Sequence, residues 1–245
     1  MQEHELWLTA LLNRTLAGPA TALLEAVKVK VEDPAHPWAN WMCMELLVVA
    51  FIVVLFGILR TQMSMDKPGG LQHIFESIYG FLRGTASETI EHGSAKFTAF
   101  FGTLFIFILF MNLLGVIPGF ESPTMTPTVT AGLALSVFAY YNWAGMREHG
   151  LWKYLAHFAG PMPLLAPLMV PIEIVSHIAR PLSLCIRLYA NMFAGERVTM
   201  AFLGLTYLLI PSVFMGLHVF VSFLQAYIFA LLTMIYVSGA VAHEH

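Results

Sequence analysis

Polar side chains follow one face of an otherwise apolar stretch in the last third of the chain. They recur three or four residues apart, at Glu173, Ser176, Arg180, Ser183, Arg187 and Asn191. At 100° per residue, this spacing places them in one narrow stripe of a helix. A charged side chain at the centre of a membrane-spanning helix costs roughly 2.5 to 3.5 kcal/mol, so several of them together indicate an ion or substrate path.

A second polar line lies further along the chain and consists of His218, Ser222 and Gln225. Their spacings of four and three residues put them on one helix face. If the two helices form a hairpin with its turn centred near Tyr207, Glu196 and His218 each lie eleven residues from that turn. We therefore expect these two side chains at a similar depth, with Arg187 opposite the neighbourhood of Gln225.

The residue types suggest different roles along the two lines. Glu196 and His218 are candidates for passing protons, because both titrate near useful pH when their surroundings shift them; a structural hydrogen-bonded pair is the alternative. Asn191 and Gln225 do not titrate, so we expect them to hold water or to orient neighbours. Arg187 stays charged at physiological pH and has no acid four residues away on either side, so it lacks a partner in its own helix.

Other polar residues near these lines are secondary candidates. Arg180 either borders the path or forms a structural pair with Glu173, seven residues earlier. His177 is either a packing histidine or a member of the path. Ser183 and Ser222 lie on the polar faces and complete the secondary set.

No other constellation in the sequence indicates bound groups or catalysis. Zinc-ligand spacing, a glycine-rich phosphate loop and a Ser-His-Asp order are all missing, so we expect no metal, no cofactor and no enzymatic chemistry on this chain. The terminal His243-Glu244-His245 is expected to be a solvated tail, and Cys43 and Cys185 are expected to be buried free thiols. A net charge of -3 and a pI near 6.3 provide no basic field for nucleic acid.

The composition, 58% hydrophobic and 11% charged, predicts an all-α integral membrane protein. A helix needs about 20 mostly apolar residues to cross the bilayer. On that basis we predict five membrane-crossing helices, at about 42–59, 97–117, 127–143, 168–203 and 211–240. The last two are too long to cross perpendicularly, so they are expected to form a long tilted hairpin.

The remaining segments are predicted to lie outside the hydrocarbon core. Residues 70–96 mix apolar and charged side chains at helical spacing, which is typical of an amphipathic helix on the membrane surface. A helix docked on a partner is the alternative. Residues 1–41 are expected to be a mobile or weakly helical extramembrane segment without a cleaved signal peptide, and residues 42–245 a single membrane domain.

The distribution of lysine and arginine predicts the orientation in the membrane. Arg60, Lys67, Arg83 and Lys96 share one loop, and Arg147 and Lys153 share another. The turns at 119–126 and 204–210 carry none. With five crossings, the positive-inside rule then predicts an external N-terminus and a cytoplasmic C-terminus.

The segment from Arg180 to Glu196, RPLSLCIRLYANMFAGE, closely resembles the signature helix of subunit a of the F-type ATP synthases. The similarity continues through the spacing of His218 and Gln225, the segment QAYIF at 225–229 and the acidic, histidine-containing C-terminus. The segment MNLLGVIP at 111–118 also resembles a helix of that family. The resemblance covers about residues 60 to 245.

This resemblance implies translocation of an ion, expected to be H+, through two half-channels that open to opposite sides of the membrane. They meet the carboxylates of a rotating c-subunit ring, which couples ion flow to ATP synthesis. In the family's pattern Arg187 faces the ring carboxylate and Glu173 lies on the cytoplasmic access route. The outer half-channel is lined by Asn191, Glu196, His218 and Gln225.

The resemblance also implies partners and a location. Mitochondrial members usually differ at the positions of Glu196 and His218, so the pair implies a bacterial chain in the plasma (inner) membrane. The implied partners are the c-ring, the peripheral-stalk b subunits, the other ATP synthase subunits and the lipid bilayer.

The main alternative is a secondary transporter with a polar site at the membrane midplane. Such folds usually contain repeated halves and helices broken at corresponding positions, and neither is visible in the sequence. A haem-binding subunit would require facing histidine pairs, and a structural membrane anchor would not explain the polar lines. The sequence therefore favours the ion-conducting subunit.

Overall fold

The computed structural model describes residues 6–26, 36–64, 68–90, 93–117, 119–151, 153–154, 166–205 and 209–242. Within these ranges the chain is helical and contains no strand. The helices are α1 (Trp7–Ala26), α2 (Asn40–Gln62), α3 (Gly70–Thr89), α4 (Ala95–Leu114), α5 (Pro127–His149), α6 (Ala166–Leu205) and α7 (Leu209–Val241), with a 3-10 helix at Pro123–Met125. The all-α prediction is confirmed.

Four described helices are long and apolar enough to cross a membrane, over Asn40–Gln62, Ala95–Leu114, Pro167–Phe202 and Ser212–Val241. The remaining predicted crossing, 127–143, lies in α5. Its 23 residues span about 34 Å, which is long enough, but helix α5 is too polar to qualify by composition. Part of that polarity is buried inside the bundle, at Thr130 and Tyr141. The number of crossings therefore stays a prediction.

Helix α3 is shorter than the predicted 70–96. It ends at Thr89, Ile90 is extended, and Gly93 adopts a φ of 75° before α4 begins at Ala95. A positive φ is readily available to glycine but not to most residues, so Gly93 favours a turn here instead of a continued helix. Leu82 and Ala86 of α3 are buried against the bundle. Large apolar residues of α3 are also exposed, among them Leu71, Ile74 and Phe81.

The N-terminal helix α1 is tied to the start of α2. The backbone N–H of Leu6 donates to Asn40 Oδ1 at 3.2 Å, and the N–H of Trp38 donates to Asn13 Oδ1 at 3.0 Å. Asn13 Nδ2 in turn donates to the carbonyl of Trp38 at 3.3 Å. Residues 7–26 form one continuous helix. The predicted division into an extramembrane segment and a membrane domain stays a prediction.

Helices α4 and α7 form the centre of the bundle. Phe101, Phe105 and Ile108 of α4 and Phe229 and Met234 of α7 are almost completely buried. Helix α6 packs against α5 and α7 but leaves a long apolar stripe exposed. That stripe includes Ile172, Val175, Leu182 and Ile186. An apolar surface of this length is expected to be covered by lipid or by a partner.

Candidate ion path along helices α6 and α7

Helices α6 and α7 agree with the predicted 168–203 and 211–240 to within two residues at each end. Their 40 and 33 residues correspond to lengths of about 60 and 50 Å, against a hydrocarbon core of about 30 Å. Each helix must therefore tilt or project beyond the membrane. The proposed turn centre, Tyr207, lies outside the described residues.

Two amide side chains join the helices directly. Asn191 Nδ2 on α6 donates to Gln225 Oε1 on α7 at 2.9 Å. Gln225 is 2% exposed, so its amide is fixed inside the helix pair. Asn191 lies one turn beyond Arg187, in agreement with the expectation that Arg187 and Gln225 are near one another in depth.

His218 is buried against α6 at the level of Gly195. A Cβ atom built on Gly195 would lie 3.6 Å from His218 Nδ1. Gly195 precedes Glu196, so the two titratable residues are at a similar level along the hairpin. Within the described chain, no hydrogen bond or ion pair joins Glu196 to His218 directly. Ser222 donates its hydroxyl to the carbonyl of His218 at 2.7 Å and is fully buried.

A cavity of about 270 Å³ lies between α6 and α7. Its polar lining is provided by Asn191, Thr199 and His218, and its apolar lining includes Val198, Phe214 and Leu217. Glu196 Oε2, His218 Nε2 and Gln225 Nε2 are among the buried polar atoms on these helices that have no hydrogen-bond partner among the described residues. Buried polar atoms are rarely left without a partner, so water in this region is the physical expectation.

Arg187 is half-buried on α6, and its charge is not neutralised within the described chain. Its one described hydrogen bond is from Nη2 to Ser183 Oγ at 3.5 Å, which is long for such a bond. Among described residues no carboxylate lies within 4.0 Å of the guanidinium. Ser183 and Ala190, one turn to either side, are exposed. The guanidinium is therefore available to a negative group outside this chain.

The charges at the other end of α6 are paired. Arg180 Nη2 lies 3.5 Å from Glu173 Oε1, and the Arg180 guanidinium lies 5.6 Å from the ring centroid of Tyr236 on α7. The sequence left two alternatives for Arg180, a position at the border of the path and a pair with Glu173, and the structure contains the pair. Their side chains are 31% and 38% exposed, so screening by solvent limits the contribution of this pair to stability.

Sequence reasoning missed two polar clusters. In the first, Asn142 Oδ1 on α5 is hydrogen-bonded by both Tyr154 and His177. In the second, Thr124 Oγ1 donates to Asn112 Oδ1 at 2.7 Å, beside the buried Ser122. Each cluster joins residues from different elements, so helical spacing contains no signal for it.

Glu121 is a further residue that the sequence did not connect to the path. It precedes the Ser122–Thr124 cluster and is close enough to Glu196 for the two carboxylates to interact electrostatically. The turn between α4 and α5 therefore approaches the end of α6 that carries Glu196.

Neither cysteine forms a disulfide. Cys43 is buried, whereas Cys185 is only half-buried and contacts the hydroxyl of Thr130 at 3.4 Å, so the expectation of two buried thiols is corrected for Cys185. Among the described residues no three histidine, cysteine or acidic side chains come together as a metal site. His243-Glu244-His245 lies outside those residues.

The fold and the site define an all-helical membrane protein with a polar path along two long paired helices. The family described as ATP synthase A chain matches residues 42–238. Among curated relatives, ATP synthase subunit a of Solibacter usitatus is 66% identical over 95% of this chain and 99% of its own. The Koribacter versatilis subunit is 49% identical over 99% of both chains. A Campylobacter jejuni subunit is 40% identical over 86% of this chain and 94% of its own.

The chain belongs to the ATP synthase A chain family, the family of the proton-translocating stator subunit in the membrane sector of the ATP synthase. Its members are non-catalytic subunits that act within the complex. The secondary-transporter alternative is not favoured by this match.

Proposed function

We propose that Arg187 separates two half-channels in this chain and faces the carboxylate of a rotating c-subunit ring. The observation that carries the proposal is a half-buried guanidinium with no acidic partner among the described residues, on a helix whose neighbouring apolar surface is exposed. A charge at the depth of the membrane core is costly without a counterion, so a partner of opposite charge is expected. A ring of carboxylates supplies one at each step of rotation.

The outer half-channel runs through the cavity between α6 and α7. Asn191, lining the cavity, is hydrogen-bonded to Gln225, and His218 lines it further along. Glu196 and His218 exchange protons through water, because no direct bond joins them and each has a polar atom without a protein partner in the described chain. Water bridges are nearly as favourable enthalpically as direct hydrogen bonds.

The inner half-channel begins at Glu173. This carboxylate is partly exposed at the end of α6 opposite Glu196, and Arg180 holds it in place. From Glu173 the polar stripe continues through Arg180 and Ser183 toward Arg187. An ion released by the ring carboxylate leaves along this stripe during synthesis.

Coupling follows from the fixed charge of Arg187. A guanidinium does not deprotonate in a protein, so it cannot pass a proton from one half-channel to the other. It favours the ionised form of a carboxylate beside it. Each ring carboxylate must therefore release its ion before it meets Arg187, and it reloads from the other half-channel after leaving. Net ion flow then requires rotation.

The proposed setting is the bacterial inner membrane, with the peripheral-stalk b subunits and the c-ring as partners. The loops that carry Arg60, Arg83 and Arg147 face the cytoplasm, while Glu121 faces outward. The N-terminus is then external and the C-terminus cytoplasmic. The support is the asymmetric distribution of basic residues.

A labelling experiment tests this orientation. In a variant without Cys43 and Cys185, single cysteines at Ser87 and Glu121 are treated with a membrane-impermeant maleimide in sealed vesicles of known polarity. We expect the Ser87→Cys variant to be labelled from the cytoplasmic side and the Glu121→Cys variant from the outside. Labelling of both from the same side would contradict the proposed topology.

A cross-linking experiment tests the proposed ring-facing surface. Ala190 is exposed and lies three residues from Arg187, on the same side of α6. We expect the Ala190→Cys variant, with a short thiol-reactive cross-linker in the intact complex, to form an adduct with the ring subunit. Leu135→Cys on α5, which is also exposed in the isolated chain, is the matched control and should give no ring adduct. Equal adducts from both positions would overturn the assignment of this face.

A further inference from the structure

The cluster of Asn142, Tyr154 and His177 joins three parts of the chain at the end of α6 that carries Glu173. Tyr154 Oη donates to Asn142 Oδ1 at 2.9 Å, and His177 Nε2 lies 2.9 Å from the same oxygen. Asn142 Nδ2 donates to the carbonyl of Phe138 at 2.7 Å, which fixes the orientation of the amide. Because Oδ1 only accepts hydrogen bonds, His177 Nε2 must carry the hydrogen.

The histidine ring is also held by packing. It meets the rings of Phe138 and Tyr141 edge-on, with centroids 5.4 and 5.2 Å away. His177 is 9% exposed and Tyr154 is 7% exposed. The close approach of Tyr154 to α5 depends on Gly145, where a Cβ atom would lie 2.5 Å from the tyrosine ring. Hydrogen bonds and ring contacts together leave His177 a single orientation.

His177 stands between the two charged residues at this end of α6. Glu173 precedes it by four residues and Arg180 follows it by three, so all three lie on one side of the helix. Arg180 also contacts the ring of Tyr236 on α7. Among the described residues, the titratable or charged groups around the cluster include Tyr141, Tyr154, Tyr236, Glu173 and Arg180.

The backbone of α6 needs lateral support at this level. Pro171 and Pro181 both lie inside the helix. Proline has no N–H, so the carbonyl of His177, four residues before Pro181, loses its helical hydrogen bond, and the carbonyl of Pro167 loses its own to Pro171. Prolines are common sites of helix kinks. The side-chain bond from His177 to Asn142 therefore ties α6 to α5 where the backbone ladder is weakened.

We infer that Asn142, Tyr154 and His177 are positioning residues that fix Glu173 and Arg180 at the mouth of the inner half-channel. The inference rests on the proposed function of Glu173. His177 acts through its N–H bond to Asn142 and not by carrying protons itself. Loss of that bond frees the proline-bounded segment of α6 and moves the Glu173 carboxylate away from the polar stripe.

The test compares His177→Leu with His177→Gln in the assembled complex. Leucine removes the donor, whereas the amide N–H of glutamine can replace it without titrating at any relevant pH. Passive proton conduction is measured in vesicles containing the membrane sector, with the pH varied separately on each side. We expect His177→Leu to lower conduction roughly tenfold, because the loss of one buried hydrogen bond lowers the population of the positioned state by about that factor. We also expect the dependence of conduction on pH to change at the Glu173 side only. His177→Gln should restore both.

Several results would overturn this inference. Conduction at the parent level in His177→Leu would show that the bond does not position the path. Equal loss in His177→Gln and His177→Leu would assign proton exchange to the imidazole instead. If His177→Leu does not assemble, Tyr154→Phe removes a single hydroxyl from Asn142, and unchanged conduction and pH dependence in that variant would count against the cluster. Ser136→Ala, on the exposed side of α5, is the control.

One further variant separates this inference from the proposal on which it rests. Glu173→Gln should lower conduction if Glu173 lies on the inner route. Parent-level conduction in Glu173→Gln would refute the route itself. A loss in Glu173→Gln with no loss in His177→Leu would leave the route intact and refute only the positioning role.

Discussion

Replacement of Arg187 by alanine is expected to abolish ATP synthesis and ATP-driven pumping while leaving a passive proton leak through the membrane sector. The alanine variant removes the charge that cannot be titrated at the point where the two proposed half-channels meet. A ring carboxylate could then pass between the half-channels with its proton still bound. Protons would cross the membrane without a fixed direction of rotation, so the gradient would no longer drive synthesis.

The size of the effect follows from the surroundings of Arg187. Attraction between a guanidinium and a carboxylate is weak in water but several times stronger in a partly dry protein interface. Arg187 is half-buried and is not engaged by an acid among the described residues, so its field is not cancelled within that part of the chain. Its removal is therefore expected to affect the ring carboxylate more than any other single substitution on α6.

Arg187→Lys separates charge from geometry. Lysine keeps a positive charge, but it lacks the planar fork that can hold a carboxylate through two hydrogen bonds. We expect this variant to block the leak partly and to lose most coupling. Arg147→Ala is the control, because Arg147 lies at the end of α5 and stacks on Trp143, 5.2 Å from its ring centroid.

The measurements are proton uptake by vesicles stripped of the catalytic sector, under an imposed potential, and ATP synthesis by the intact complex. We expect Arg147→Ala to behave as the parent in both. Synthesis close to the parent rate in Arg187→Ala would refute the central assignment. Loss of synthesis with no leak would also refute the barrier role. The path would then be blocked to protons, instead of conducting them without coupling to rotation.

Local sequence patterns predicted the helices well where the helix is long and largely apolar. The bounds of α6 and α7 follow from such runs, and the stripe from Glu173 to Asn191 follows from helical periodicity alone. The pairing of α6 with α7 could also be predicted from the sequence, because a short turn makes consecutive helices antiparallel neighbours. The hydrogen bond between Asn191 and Gln225 lies within one turn of the predicted level.

Contacts between distant elements could not be predicted in this way. Asn142 and His177 are 35 residues apart, and the sequence between them contains no pattern that brings them together. Helix α5 was assigned as a span by its apolar residues, but it also contains polar side chains, among them Asn142, which is hydrogen-bonded to His177 on α6. Helix α3 ends at Thr89 because the backbone becomes extended at Ile90, and hydrophobic spacing contains no signal for that change.

Simultaneous replacement of Glu196 and His218 by leucine is expected to lower proton flux through the membrane sector by at least about tenfold, without dissociating the complex. Proton transfer by a positioned side chain contributes typically 100-fold or more to a rate, but water in the cavity can substitute in part. Both side chains lie at a similar level of the hairpin, because His218 packs close to Gly195, the residue before Glu196. Leucine at both positions would make this level apolar and remove the groups that hold water there.

The double variant Glu196→Gln, His218→Gln distinguishes proton exchange from water binding. Glutamine keeps hydrogen-bonding groups in both positions but does not titrate. If Glu196 and His218 exchange protons, the glutamine variant should conduct as poorly as the leucine variant. If they only hold water, the glutamine variant should conduct nearly as well as the parent.

Glu148→Leu at the exposed end of α5 is the control for loss of a carboxylate, and it should conduct as the parent does. Near-normal flux in the leucine double variant would rule out any role for the pair, because no hydrogen-bonding group would then remain at either position. From the described geometry we expect a loss of flux in the leucine double variant instead. Glu196 Oε2 and His218 Nε2 are buried polar atoms with no protein partner in the described chain. Burial of a polar atom without a hydrogen bond costs free energy, so water is expected to reach both atoms. Water that reaches both atoms would supply a hydrogen-bonded route for protons, and the loss of both polar groups is expected to interrupt that route.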